Sequence, residues 1–242
     1  MPVNKFLMVC FACLVLVACK KEKQVDAAVV GEKMDPLAME SELRILALNG
    51  RIESGKNNAK IDWVSPYQDA TGCKVKAKMV ENLELLDASL GDAEFDLVIT
   101  SDMALPVEKL MPVDATRLRS FKDLDKRFLM PQSRSRKFSL PFQWQLIKPV
   151  LPATEFTTQV ESIHLMANAK NINCAYAWME WSLSPKLQGD VAAALGTIPV
   201  VPAACIGNET LGDDACRVRM SETIAPVMDE APATVIEQPN KS

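Results

Sequence analysis

Cys73-Lys-Val-Lys-Ala-Lys-Met-Val-Glu-Asn-Leu-Glu-Leu-Leu-Asp-Ala-Ser-Leu-Gly-Asp-Ala-Glu-Phe-Asp-Leu-Val-Ile-Thr-Ser-Asp102 holds one complete repeat of strand, helix and strand. From Cys73 to Val80 apolar and basic residues alternate, the period of a half-exposed strand. Asn82 then stands where a side-chain oxygen can accept from the free N–H groups of a first helical turn, and a helix follows to Leu90. Phe95-Asp-Leu-Val-Ile-Thr100 reads as a buried strand that ends in the polar turn Ser101-Asp102.

The same alternation extends outward. Leu43-Arg-Ile-Leu-Ala-Leu48 is a short apolar strand, and Asn49 to Asn58, with Gly50 and Gly55, is a loop. Ile61 to Ala70 reads as a helix whose first turn must hold Pro66, and Thr71-Gly72 ends it. Downstream come a short helix near Val107, a polar segment from Ser120 to Phe128, and strands at Phe138–Trp144 and Ser162–Met166. Asn173 caps a strong helix, Cys174–Leu183; Ser184-Pro185 starts another, which reaches Leu195 and stops at Gly196. The expected fold is therefore α/β, with parallel strands. Ligands of such sheets sit beyond the carboxyl ends of strands, which directs attention to Asn49–Gly55 and Thr100–Ala104.

At the N-terminus, Lys5 precedes the uncharged apolar run Phe6–Val17, too short for the ~20 residues that cross a bilayer core. Such a run reads as a secretory signal. It ends in Leu16-Val17-Ala18-Cys19, which resembles the lipobox of bacterial lipoproteins. That resemblance implies removal of residues 1–18 and acylation of Cys19, an anchor strengthened by about 0.8 kcal/mol per buried CH₂. Residues 19–41 are polar and read as a tether, residues 42–220 as the folded part, and residues 221–242, rich in Pro, Ala, Thr and Glu, as a disordered tail.

Cys10 and Cys13 lie in the signal, which leaves Cys73, Cys174, Cys205 and Cys216. An even count in an exported chain points to disulfides, and three pairings are open, with free buried thiols as the alternative. The pairing preferred is Cys205–Cys216 as a local loop and Cys73–Cys174 across the domain. No CxxC pair remains to hold zinc. A net charge of −4 gives no footprint for nucleic acid. The basic stretch Arg117–Lys137 reads as a solvated loop. Neither a phosphate loop nor a nucleophile elbow is present, and the single histidine, His164, sits in an apolar strand. No enzyme, metal site or cofactor is expected. Tyr176, Trp178 and Trp181 have the spacing of core residues.

Two groups of motifs together resemble one family. The first comprises Asp62-Trp63, Ala70-Thr71-Gly72-Cys73-Lys-Val, Glu94-Phe-Asp-Leu-Val-Ile-Thr-Ser-Asp102, Pro112-Val-Asp114 and Phe121-Lys-Asp-Leu-Asp125. The second comprises Ala169-Lys-Asn171, Cys174-Ala-Tyr-Ala-Trp-Met-Glu-Trp-Ser-Leu-Ser-Pro-Lys-Leu-Gln188-Gly-Asp-Val-Ala192 and Pro199-Val-Val-Pro202 through Cys205. The chain resembles the spermidine/putrescine-type periplasmic solute-binding proteins of ABC importers over most of Leu43–Cys216. The resemblance implies a type II periplasmic-binding fold, whose two lobes close on a ligand. It breaks between Phe142-Gln143-Trp144 and Pro152, so this chain reads as one lobe with hinge remnants, most of the second lobe having been deleted near residues 145–154. Apolar residues near Phe142 and Trp144 would then be left uncovered.

The resemblance also implies a site. Polyamines are held by aromatic faces and by carboxylates that pair their ammonium ends. The family's aromatic in the first loop is absent from Leu48-Asn-Gly-Arg51-Ile-Glu53, where Arg51 would repel a cation. Its Trp-x-Asp element on the hinge return reads Gln159-Val160-Glu161 here. Ser101, Asp102, Gln159 and Glu161 are the ligand-binding candidates, with local capping by Asp102 and Glu161 as the alternative. Two functions are open. One is a lipid-anchored periplasmic solute-binding component that takes polyamine or a similar small cation to an ABC permease in the inner membrane. The other is a degenerate paralogue that traps no ligand and acts as an envelope interaction lipoprotein.

Overall fold

The computed structural model describes residues 39–56, 58, 61–92, 94–101, 105–125, 139–147 and 157–206; residues 1–38, with Cys19, and 207–242, with Cys216, lie outside the described residues. Apolar residues at Leu43, Ile45 and Ala47 bury one side of β1 (Glu42–Leu48) and Leu46 buries the other, as the two-residue period requires of a strand covered on both faces. The described strands make one six-stranded sheet in the order β2-β1-β3-β5-β4-β6, with β2 Lys74–Val80, β3 Leu97–Ser101, β4 Ser139–Ile147, β5 Thr157–Leu165 and β6 Ile198–Pro199. β1 pairs parallel with β2 and β3, whereas β5 runs antiparallel to β3 and to β4, and β4 antiparallel to β6. The expectation of parallel strands therefore holds for β1, β2 and β3, and β4, β5 and β6 add antiparallel pairs. Tight hairpins require antiparallel neighbours, and only nine residues join the paired ends Ile147 and Thr157 of β4 and β5.

β2 forms one edge of the sheet. It is more exposed than its alternation implies, since Ala77 and Met79 face solvent as well as the lysines. A one-sided strand buries its apolar set only where a second layer covers it, and lysines suit an uncovered edge. α1 (Val64–Thr71), α3 (Ile172–Ser182) and α4 (Pro185–Leu195) share the larger core on one face of the sheet. α2 (Leu83–Asp92) covers the other face around Leu46, Leu86, Phe95 and Val98. Phe142, expected at an uncovered surface, is buried in the larger core, and Gln188 Nε2 donates to its carbonyl at 2.8 Å.

Helix ends follow the expected residues with one exception. Asn82 Oδ1 accepts from Leu85 N at 2.9 Å, Ser184 Oγ accepts from Leu187 N, and Gly72 and Gly196 end α1 and α4 in the left-handed conformation. Pro66 does lie in the first turn of α1. Asn173 does not cap α3. The helix starts at Ile172, and Glu40 reaches it from before β1, accepting from Asn173 N at 3.1 Å and Cys174 N at 2.8 Å. A carboxylate is the stronger partner for these N–H groups, and its charge suits a helix N-terminus. Met39 also packs on the core, so folded structure reaches into the end of the stretch read as a tether. The helix near Val107 is a 3₁₀ turn, Val107–Lys109, and part of the Ser120–Phe128 segment is another, Arg119–Asp123.

α3 is buried along Cys174–Ser182, as Tyr176, Trp178 and Trp181 foretold. Its N-terminal end is the most heavily tied point of the lobe. Cys174 is disulfide-bonded to Cys73, 101 residues away, and its carbonyl accepts from Tyr67 Oη at 2.7 Å. The Tyr67 ring meets Trp178 edge-on, with centroids 4.9 Å apart. Buried Asp96, missed in the sequence, accepts from Arg44 N, Lys170 N, Asn171 N and Asn171 Nδ2, joining β1 to the approach to α3. Cys205 is also disulfide-bonded; its expected partner, Cys216, lies outside the described residues. Arg117 is not simply solvated, because its guanidinium stacks on Tyr176 at 3.8 Å from the ring centroid.

Two predictions follow from these ties. The variant Cys73→Ala/Cys174→Ala loses about 4–5 kcal/mol in urea unfolding, because the crosslink closes a loop of ~100 residues in the unfolded chain; a loss within error of zero contradicts this. Burial also pushes the Tyr67 hydroxyl well above its ordinary value of 10.0. The unfolded chain therefore loses this proton first, so the stabilisation is complete below about pH 10 and declines as pH rises past it. Comparing denaturant midpoints at about pH 9 and about pH 11, Tyr67→Phe should show the shallower decline.

Candidate functional site

The order of the first three strands creates one special place. β2 lies on one side of β1 and β3 on the other, so the strand order reverses beside β1, the kind of switch point beyond whose strand ends ligands bind in open α/β sheets. The loop after β1 is built stiffly. Asn49 N donates to Val80 O at 2.9 Å, Arg51 N donates to Leu48 O at 3.2 Å, and Ile52 is buried. Gly50 holds φ 81°, and a Cβ there would stand 3.3 Å from Leu195 Cδ2. Only glycine takes this conformation readily. Farther on, Trp63 N and Val64 N both donate to Glu53 O, and Trp63 O accepts from Trp181 Nε1 at 3.0 Å. The loop is thereby moored to α1 and α3.

β5 brings the other half of the site. Its antiparallel register places Glu161 beside Ser101, the last residue of β3, and beside Gln143 of β4 on the other side. Gln159 lies opposite Gln145. Two of the four sequence candidates, Ser101 and Glu161, are thus neighbours across a strand pair, and Gln159 is one pleat farther along β5. The side chains of Ser101 and Gln159 lie outside the described residues, as does the whole of Asp102.

Glu161 is 1% exposed, and a buried carboxylate needs a counter-charge. Arg51, 110 residues away in sequence, supplies it. Its Nε donates to both carboxylate oxygens at 2.9 Å, its Nη2 donates to Oε1, and its Nη1 donates to Asn49 O at 3.3 Å. The fork of the guanidinium matches the carboxylate, and the Arg51 side chain is 17% exposed, so the pair is a lid of cation over a sunken anion. The sequence reading set a carboxylate for a ligand cation against an arginine that would repel one. The fold instead makes each the partner of the other, because the loop after β1 reaches the middle of β5. A carboxylate one residue from a strand end and an arginine just after another strand were legible separately; their pairing was not.

The remaining polar residues have other roles. His164 is buried on β5 between Val98 of β3 and Ser139 of β4. Glu180 accepts from Ser120 N and Oγ and lies 3.9 Å from Arg119 Nε, which ties the 3₁₀ turn to α3. Among the described residues, no group of His, Cys, Asp and Glu is arranged to hold a metal ion, and no helix is long and apolar enough to cross a membrane.

No family model matches the chain. Solved structures do. The spermidine/putrescine ABC transporter substrate-binding protein PotD of Streptococcus pneumoniae, crystallised with calcium and HEPES, superposes with a TM-score of 0.58 at 13% identity, over 74% of this chain and 89% of that one. A spermidine/putrescine ABC transporter protein from Listeria monocytogenes gives 0.57 at 14% identity, over 68% and 85%. The GacH receptor of Streptomyces glaucescens, solved unliganded and with acarbose, gives 0.54 at 10% identity, over 74% and 85%. At these identities the likeness is one of fold: the described residues form a lobe of the type II periplasmic-binding architecture.

The ion pair makes a quantitative prediction. Arg51→Met removes the guanidinium from the buried Glu161 carboxylate and costs roughly 3–5 kcal/mol in urea unfolding, while Arg51→Met/Glu161→Met costs clearly less than the sum of its two single changes. Strict additivity in this double-mutant cycle would show that the two groups do not depend on each other.

Proposed function

We propose that this chain is a lipid-anchored solute-binding component of an ABC importer, derived from the polyamine-binding type, retained at the periplasmic face of a membrane through acylated Cys19 and working as a single lobe. The observation that carries this reading is the switch in strand order beside β1, together with the antiparallel return of β5 that brings buried Glu161 next to Ser101 at the end of β3. The solved structures that share the architecture include a substrate-binding protein of a spermidine/putrescine transporter, which supports a small organic cation as the inherited ligand. Ser101, Asp102, Gln159 and Glu161 are the proposed contacts. The permease that would receive the ligand is the proposed partner, as in the family the sequence resembles.

A second reading is an interaction lipoprotein that no longer traps ligand. Two observations favour it. Glu161 already holds a cation from its own chain, and nine residues between β4 and β5 leave no room for the second lobe that a hinged trap would insert there. A small ligand usually has ~70–90% of its surface enclosed, which a single open crevice does not achieve.

One experiment separates the two. Calorimetric titration of the full chain with putrescine and with spermidine should give saturable, micromolar-range heats if the importer reading holds; flat titrations of folded protein reject it in favour of the second. In the same preparation, Cys19→Ser should release the protein from the membrane fraction, and retention there would refute the acyl anchor.

A further inference from the structure

A carboxylate that is 1% exposed costs free energy unless a cation meets it with good geometry, and here the cation belongs to a loop rather than to the sheet. The guanidinium of Arg51 donates along its Nε–Nη2 edge to the carboxylate of Glu161, as a free guanidinium compound could. Behind it the side chain returns to a backbone that is pinned by Asn49 N on Val80 O and by Arg51 N on Leu48 O. Such a tether gives the bound group a high effective concentration at the carboxylate, of millimolar order for flexible linkers and higher when the loop is preorganised. Any cation from solution must displace it, and its measured affinity falls by the fraction of time the carboxylate is covered.

We propose that Arg51 is a built-in occupant of a guanidinium-binding subsite whose acceptor is Glu161, so that the crevice carries its own competing ligand. The inference rests on the crevice being the ligand ground of a solute-binding lobe. It adds to that reading the chemical class the floor prefers, a planar alkylguanidinium, and a reason for weak binding by the unaltered chain. Shortening Arg51 leaves a cavity with the shape of the part removed, open to solvent along the path the side chain now takes.

The test uses the full chain, the variants Arg51→Ala and Arg51→Ala/Glu161→Gln, and methylguanidinium chloride as the probe, against sodium chloride at equal ionic strength. By calorimetry, Arg51→Ala should bind methylguanidinium at least about tenfold more tightly than the unaltered chain, and the double variant should lose that gain. Should Arg51→Ala fail to fold unaided, the readout is recovery of its native circular dichroism on adding methylguanidinium. Equal affinity in the unaltered chain and Arg51→Ala overturns the proposal. So does binding that survives Glu161→Gln, or recovery no greater than sodium chloride produces. Micromolar putrescine binding by the unaltered chain, with no gain in Arg51→Ala, would refute this inference alone and leave the importer reading standing.

Discussion

The lobe is closed at the first turn of α3. Four segments distant in sequence converge on Cys174: Glu40 on its N–H, Tyr67 on its carbonyl, Cys73 on its sulfur, and Asp96 on the two residues that lead into the helix. A helix buried on all sides cannot rely on an amphipathic stripe to set its position. Its N-terminal N–H groups also cannot turn to water, so they must be satisfied by the protein itself. These contacts do both. They fix α3 against α1 and β1, and the sheet inherits its alignment from that contact.

With α3 in place, the loop after β1 is placed as well. Trp181 on α3 donates to the carbonyl of Trp63, and Trp63 and Val64 donate back to Glu53 in the loop that carries Arg51. The position of the guanidinium over Glu161 is thus set by a chain of hydrogen bonds from the closed core to the open edge. The ion pair has a double consequence. It permits a carboxylate to be buried in the middle of a strand, and it puts a cation of the same chain on the acceptor proposed for a ligand.

Much of the fold was legible because it is written in local chemistry. Period-two alternation, an Asn or Ser before a helix, Pro in a first turn and Gly just past a last one each act within a few residues, and each was found where expected. The misreadings came where a distant segment outbid the local one. Asn173 lost its capping role to Glu40, which no window around α3 contains. β2 kept its alternation but not its burial, because it ended at an edge of the sheet. Phe142 was expected to be bared, yet the larger core covers it and Gln188 holds its carbonyl.

From the sequence alone came the elements, their order and the α/β class, because apolar periodicity and end signals are properties of neighbours along the chain. Ser101 could be singled out there because strand ends can be read locally, whereas Gln159 and Glu161 were singled out only through the family resemblance. What the tertiary structure decided is direction and pairing: that β5 returns antiparallel, that Ser101 and Glu161 stand side by side, and that Arg51 covers Glu161 from 110 residues away. Long-range pairing depends on which surfaces meet once the core has closed, and that information resides in packing rather than in any stretch of neighbouring residues.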